Sequence, residues 1–181
     1  MEWDRSFTRW VSSLAGQIGF LDGIMRGVTA GGPLVLVALI GLRWWSTEQR
    51  VRQRNLALVC GLATALALLL NQAILIFYQR VRPYEVSLTH LPTERSTYLS
   101  FPSDHATVGF AISFSLLMAK DRWGWAFLFM TFLMSVSRIY VGTHYLSDIL
   151  GGGVTGGVAA IVVAHFYSKF KPVSDRLVRI L

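Results

Sequence analysis

Five apolar segments, separated by short polar stretches, constrain this chain more than any other feature. Of its 181 residues, 53% are hydrophobic, and this content exceeds what a soluble domain of this size needs. A helix that crosses a bilayer needs about 20 apolar residues, so polar flanks must complete the shorter segments. We predict a single all-α domain over residues 1–181, an integral membrane bundle of five spans. The spans run roughly Gly32–Trp45, Leu56–Tyr78, Ala106–Met118, Trp123–Tyr140 and Ile149–Tyr167.

The N-terminal segment, residues 1–30, differs in character from the five spans. Trp3–Thr29 mixes aromatic and aliphatic side chains with charges, a pattern typical of a helix that lies in the membrane interface. We therefore predict an interfacial N-terminal helix, with a sixth span in this segment as the alternative.

Three polar clusters interrupt the apolar pattern. Arg82-Pro83 follows the second span, Phe101–His105 opens the third, and Ser137–Asp148 runs from the fourth span into the fifth. Alternation of the spans brings all three clusters to one side of the membrane. Ionisable groups at membrane depth are costly and usually functional, so we expect the three clusters to form the functional part of the chain.

The distribution of basic residues predicts which side that is. Ten lie in the connections after spans one and three and in the C-terminal tail, and seven lie on the side of the clusters. The positive-inside rule then places the ten in the cytoplasm and the clusters outside, in a multi-pass protein of the cell membrane. The ten are Arg43, Arg50, Arg52, Arg54, Lys120, Arg122, Lys169, Lys171, Arg176 and Arg179.

The residue types in the clusters suit the binding of phosphate. Arg82 and Arg138 can each offer paired planar donors to phosphate oxygens and neutralise developing charge. Ser103, just before a helix, would place its hydroxyl and nearby backbone N–H groups at a positive helix end.

The histidines supply candidates for the chemistry itself. His144 and Asp148 are four residues apart, so on a helix that starts near His144 they share a face. Asp148 can then orient the imidazole and leave its other nitrogen free to attack phosphorus. His105 is the candidate acid for the leaving oxygen and the candidate base for water.

Each motif also has a purely structural interpretation. His144 and Asp148 could be a structural pair, Arg138 an interfacial arginine whose charged end reaches out of the membrane, and Ser103-Asp104 a helix cap. Their joint spacing on one membrane side favours a site instead. Four histidines without a second carboxylate cluster predict neither a metal site nor a cofactor. The chain has a net charge of +7, and its basic residues lie beside apolar spans. This indicates membrane lipids rather than nucleic acid as partners.

The clusters resemble the signature of the type 2 phosphatidic acid phosphatases, or lipid phosphate phosphatases. That signature is Lys-x6-Arg-Pro, then Pro-Ser-Gly-His, then Ser-Arg-x5-His-x3-Asp. The third part matches completely from Ser137 to Asp148, and the resemblance covers roughly Asn71–Thr155. It implies a metal-independent phosphatase with a phosphohistidine at His144 and a lipid phosphate or pyrophosphate as substrate.

Two positions depart from that signature. Leu75 stands where the family has lysine, and Arg80 or Arg95 could supply the missing charge. Asp104 replaces the glycine of the second motif, which is similar to the bacitracin-resistance type of undecaprenyl-pyrophosphate phosphatase. Asp104 could pair with Arg80 or Arg82, or help the leaving group of a pyrophosphate take a proton. We count Arg80 and Asp104 among the phosphate-binding candidates.

The subfamily resemblance implies hydrolysis of undecaprenyl pyrophosphate to the monophosphate carrier for cell-wall synthesis. One alternative keeps the site and changes the substrate to phosphatidylglycerol phosphate, phosphatidic acid or another lipid phosphate, or makes the protein a lipid phosphotransferase. Another is a membrane protein that binds or flips polyprenyl phosphates without catalysis. Oligomeric state stays open.

Overall fold

The computed structural model describes residues 2–89 and 99–180, and this part of the chain is helical with no strand. Two short 3-10 turns, Arg43–Trp45 and Pro83–Val86, accompany the α-helices. The α-helices are α1 (Glu2–Ser12), α2 (Gly19–Leu42), α3 (Arg50–Phe77), α4 (Asp104–Met118), α5 (Gly124–Tyr140) and α6 (Leu146–Ile180).

The five longest helices, α2 to α6, form an all-α membrane bundle. In the part of the chain that the structure describes, three helical stretches are long and apolar enough to cross a bilayer: Gly19–Trp45, Arg50–Phe77 and Leu146–Phe170. The apolar helices α4 and α5 have 15 and 17 residues. At about 1.5 Å per residue, both fall short of a hydrocarbon core about 30 Å thick. Each of these two helices is therefore too short to span the hydrocarbon core by itself.

The predicted start of the first span is wrong. We expected one interfacial helix over Trp3–Thr29, but α1 ends at Ser12 and α2 already begins at Gly19. The start of α2 is difficult to recognise in the sequence, because Asp22 and the neighbouring glycines make the segment only weakly apolar. The carboxylate of Asp22 is accommodated there, since it accepts hydrogen bonds from the Gly16 N–H at 3.0 Å and the Tyr140 hydroxyl at 2.8 Å. Only α1 remains as the interfacial helix.

Helix α1 is amphipathic and lies against α5 and α6. Trp3 and Trp10 are exposed, whereas Asp4, Thr8 and Val11 form a buried stripe at helical spacing. The aromatic face suits the membrane interface. The buried stripe carries a carboxylate into the end of the bundle where the polar clusters lie.

Glycines on α6 allow its backbone to approach α4 closely. A Cβ added at Gly152 would lie 2.7 Å from the Ser103 carbonyl oxygen, and one added at Gly156 would lie 2.7 Å from the Thr107 carbonyl oxygen. Small residues permit such contacts between helices in lipid. Asp148 lies one turn before Gly152, so this packing brings it beside the start of α4, where its carbonyl oxygen accepts the Ser103 N–H at 3.1 Å.

Apolar packing fills the rest of the bundle. Leu36 of α2, Ile112 and Leu116 of α4 and Met134 of α5 are almost fully buried in one cluster. The outer surface exposes many large apolar side chains, as a lipid-facing surface should. They include Phe20, Leu34, Phe77, Trp125, Phe129 and Ile161. At the end of the bundle opposite the polar clusters, Arg43 forms an ion pair with Asp121 at 2.9 Å.

Candidate active site

His144 lies in the tight connection between α5 and α6 and is 2% exposed. The connection turns at Gly142, whose φ of +79° favours glycine, and the Thr89 hydroxyl donates to the Gly142 carbonyl at 3.0 Å. The Nδ1 atom of His144 lies 2.9 Å from the Ser100 carbonyl oxygen. A carbonyl only accepts, so Nδ1 carries the proton and Nε2 keeps its lone pair.

Electrostatics keep this imidazole neutral. Burial lowers the pKa of His144 to about 4 against the opposing effect of Asp148, and the charges of Arg138 and Arg82 act in the same direction as burial. A histidine with this pKa is uncharged at neutral pH, which is the form that can act as a nucleophile.

Asp148, in the first turn of α6, is 0% exposed and fully engaged. Its Oδ1 accepts from Arg80 Nη1 at 2.8 Å. Its Oδ2 accepts from the Ser100 hydroxyl at 2.5 Å and the Tyr145 N–H at 2.8 Å. The same oxygen lies 3.4 Å from His144 Nδ1, farther than the Ser100 carbonyl. The carboxylate thus lies next to the imidazole, while the closest hydrogen-bond partner of Nδ1 is backbone.

Two buried arginines lie beside the histidines. Arg82 is 7% exposed, and its guanidinium reaches the carbonyl oxygens of Thr143 and Leu99, each at 3.4 Å. Arg138 is 9% exposed in the last turn of α5. The charges of both arginines act on His105 as well as on His144. The structure therefore brings together the arginines and histidines that the three motifs predicted.

The start of α4 lies beside Asp148 and contributes further residues to this end of the bundle. Ser103 is the N-cap residue of α4, and its buried Oγ has no hydrogen-bond partner among the described residues. A buried, unsatisfied hydroxyl at a helix N-terminus is suited to an anion. His105, two residues on, is partly exposed and lies beside the backbone of Thr29 in α2.

Asp104 is exposed at the same helix start. We had suggested a pair with Arg80 or Arg82, but the described part of the chain shows no ion pair between Asp104 and either arginine. Its Oδ1 accepts from the Asn71 amide at 2.7 Å, and the same amide donates to the Thr107 hydroxyl at 2.9 Å. Asn71 is buried in the last third of α3. An amide donor, rather than a positive charge, therefore holds this carboxylate.

Arg80 bridges the carboxylates of Asp148 and Asp4. Its Nη1 donates to Asp148 and to the Ser147 hydroxyl, and its Nη2 donates to Asp4 at 2.6 Å. Both terminal nitrogens are thus engaged by protein groups, which does not fit the phosphate-binding role we expected for Arg80. Arg95, the alternative replacement for the missing lysine, lies outside the described residues.

Sequence reasoning missed Asp4 and Ser100. Asp4 gave a weak signal, because it shares a helical face with Thr8 and Val11 on an otherwise charged and aromatic segment. Ser100 gave none, since a serine before a Phe-Pro pair has no distinctive pattern. Among residues 2–89 and 99–180, no group of three or more His, Cys, Asp or Glu side chains is arranged to hold a metal ion.

Comparison with known proteins identifies the family of this chain. Residues 56–172 match the model of the PAP2 superfamily. The chain is 31% identical over 170 residues to "Undecaprenyl-diphosphatase BcrC" of Bacillus subtilis, covering 94% of this chain and 87% of that protein.

Two solved structures share the fold. The PAP2-type phosphatidylglycerolphosphate phosphatase of Bacillus subtilis superposes with a TM-score of 0.68 at 23% identity, covering 93% of this chain and 86% of its own. LpxE of Aquifex aeolicus superposes with a TM-score of 0.69 at 20% identity, covering 88% and 93%. With the family match over most of its length and a relative of known activity, this chain belongs to the PAP2 superfamily and is a multi-pass membrane phosphatase.

Proposed function

We propose that this protein hydrolyses undecaprenyl pyrophosphate to the monophosphate through a phosphohistidine at His144. One observation carries the proposal: the Ser100 carbonyl fixes the proton of the neutral imidazole on Nδ1 and leaves the Nε2 lone pair free. The charges of Arg82 and Arg138 act on the same imidazole. A neutral nucleophile in a positive, water-poor site is well prepared to attack a phosphate anion.

In the first step, Arg82, Arg138 and the Ser103 hydroxyl bind the terminal phosphate. Nε2 of His144 attacks the terminal phosphorus, an N–P bond forms, and the bond from phosphorus to the bridging oxygen breaks. The negative charge of the bound pyrophosphate favours the imidazolium form of His105, and this imidazolium donates its proton to the leaving undecaprenyl monophosphate. Positive charge develops on the imidazole of His144, and the Asp148 carboxylate at 3.4 Å stabilises it.

In the second step, water replaces the leaving group. His105, now without its proton, removes a proton from water, and the oxygen attacks phosphorus in line with the N–P bond. That bond breaks, phosphate departs, and His144 regains its lone pair. The enzyme returns to its starting state without a metal ion.

The length of the helices supports a lipid substrate. Because α4 and α5 are shorter than the hydrocarbon thickness, at least one end of each lies within the bilayer, and we place the active-site ends there. A lipid headgroup could then enter sideways from the leaflet while its chain stays between helices. We place this end on the extracytoplasmic side of the cell membrane, because more of the basic residues lie at the opposite end.

The choice of a polyprenyl pyrophosphate rests on similarity to BcrC of Bacillus subtilis, named an undecaprenyl-diphosphatase. The main alternative is phosphatidylglycerol phosphate. It is supported by a second relative, "Phosphatidylglycerophosphatase B" of Bacillus subtilis, at 27% identity over 168 residues. Both substrates would use the same nucleophile and differ in the group that leaves.

A substrate panel with purified protein tests the proposal. Phosphate release is measured from undecaprenyl pyrophosphate, phosphatidylglycerol phosphate and phosphatidic acid, with His144→Ala and His165→Ala as a matched pair. His165 is an exposed histidine of α6 away from the site. We expect undecaprenyl pyrophosphate to be the fastest substrate, His144→Ala to be inactive and His165→Ala to be active. Faster turnover of another lipid would change the substrate, and an active His144→Ala would remove the mechanism.

A further inference from the structure

Asp4 of α1 is a buried carboxylate with three donors. It is 1% exposed. Its Oδ2 accepts from Arg80 Nη2 and from the Ser147 hydroxyl, both at 2.6 Å, and its Oδ1 accepts from the Ser147 N–H at 3.0 Å. Burial acts to raise the pKa of Asp4, but the hydrogen bonds from Arg80 and Ser147 outweigh it and lower that pKa. Asp4 is therefore charged at neutral pH.

Arg80 connects this carboxylate to the site. One of its terminal nitrogens donates to Asp4 and the other donates to Asp148 at 2.8 Å. Its guanidinium also lies over the ring of Tyr145, 3.7 Å from the centroid, a favourable contact of a cation with an aromatic face. Arg80 is thus held between two carboxylates and an aromatic ring.

Ser147 is a second, shorter connection. It is the residue before Asp148, and both its N–H and its hydroxyl donate to Asp4. Donation from backbone and side chain to one carboxylate fixes the first turn of α6. The orientation of Asp148 therefore depends on α1, a helix that contributes no predicted catalytic residue.

We propose that Asp4 is a positioning residue of the phosphatase reaction, which acts through Arg80 and Ser147 to hold Asp148 beside His144. This inference rests on the proposed function of His144 and Asp148. Without the charge of Asp4, Arg80 keeps one carboxylate partner instead of two, and the first turn of α6 loses its anchor. The orientation of Asp148 relative to the His144 imidazole then varies more. This slows the chemical step and affects substrate binding much less.

The substitution Asp4→Asn tests this, because it keeps the size and removes the charge. Glu2→Gln is the matched control, since Glu2 is an exposed carboxylate of the same helix. We expect Asp4→Asn to lower kcat by about 10- to 100-fold, the cost of a small misplacement of catalytic groups. Its KM should change by less than about threefold, because the loss is in the chemical step.

A second comparison separates positioning from simple docking of α1. In an Arg80→Gln background the connection through Arg80 is already broken and only the one through Ser147 remains, so Asp4→Asn should lower kcat by a smaller factor than it does in the wild-type background. Full additivity of the two losses would overturn the inference, and so would equal kcat values for Asp4→Asn and Glu2→Gln. If Asp4→Asn does not yield folded protein, Asp4→Glu, which keeps the charge and displaces it, replaces it under the same criteria.

The proposed role of His144 and the proposed role of Asp4 are contradicted by different results. If His144→Ala retains turnover, the proposed function is wrong whatever Asp4 does. If His144→Ala is inactive while Asp4→Asn matches its control, the function stands and only the role of Asp4 is lost.

Discussion

The substitution Gly156→Ala tests whether the close contact between α4 and α6 assembles the site. The added methyl would lie 2.7 Å from the Thr107 carbonyl oxygen and 2.8 Å from the Ala111 nitrogen, both backbone atoms, whereas ordinary contact begins at 3.4 Å. Relief of the clash needs a shift of α6 by about 0.7 Å, because backbone atoms of a helix cannot rotate away.

Gly153→Ala is the matched control, because its methyl would lie 3.5 Å from the Phe110 ring, an ordinary contact. Both changes raise helix propensity by about 1 kcal/mol, so their difference isolates the clash. Overpacking typically costs about 1–3 kcal/mol, and we expect Gly156→Ala to lower Tm relative to Gly153→Ala. Its kcat should also fall by about tenfold or more, because Asp148 moves with α6 relative to Ser103.

The assays are thermal unfolding in detergent and phosphate release from undecaprenyl pyrophosphate. If Gly156→Ala and Gly153→Ala have the same Tm and the same kcat, the close approach of the two backbones does not hold the site together. A lower Tm with unchanged kcat would retain the packing argument and refute its connection to catalysis.

Three further predictions concern the site itself. Asp148→Asn should lower kcat by about 10³-fold or more, as in other sites where a carboxylate orients a histidine, and a kcat within tenfold of wild type would contradict that role. Because the pKa of His144 is lowered to about 4, its ring stays neutral down to that pH, so the His144 limb of the kcat/KM profile should lie near pH 4. NMR titration of the imidazole measures the pKa of His144 directly, and a value near the ordinary 6.5 would contradict the assignment. Asn71→Leu removes the amide that donates to Asp104 and leaves that carboxylate to repel the substrate. KM should therefore rise by about fivefold or more, a loss of about 1 kcal/mol of binding. An unchanged KM would refute this role of Asn71.

Much of the arrangement could be predicted from local sequence spacing. The interval from His144 to Asp148 fixes both residues at the start of one helix, whatever surrounds it. The alternation of spans brings Arg82, Ser103 and Arg138 to the same end of the bundle. Such inferences need only helix periodicity and the thickness of the bilayer.

The remaining features depend on tertiary contacts that no local pattern encodes. Arg80 was predicted to replace the missing lysine of the first motif, but its partners Asp4 and Asp148 are 76 and 68 residues away in sequence. The carbonyl of Ser100 acts through its position alone, since every residue has a carbonyl group. The start of α2 at Gly19 was missed because Tyr140, far along the chain, satisfies the polar group of Asp22.

The most direct test of the central claim is to trap the phosphorylated enzyme. Undecaprenyl pyrophosphate with a labelled terminal phosphate is mixed with the protein, the reaction is quenched within one turnover at alkaline pH, and the labelled peptide is identified by mass spectrometry. We predict labelled phosphate on Nε2 of His144. The His144→Ala variant should carry no label, and the His165→Ala variant should carry it on His144. Label on another residue, or none in an enzyme that turns over, would contradict the account.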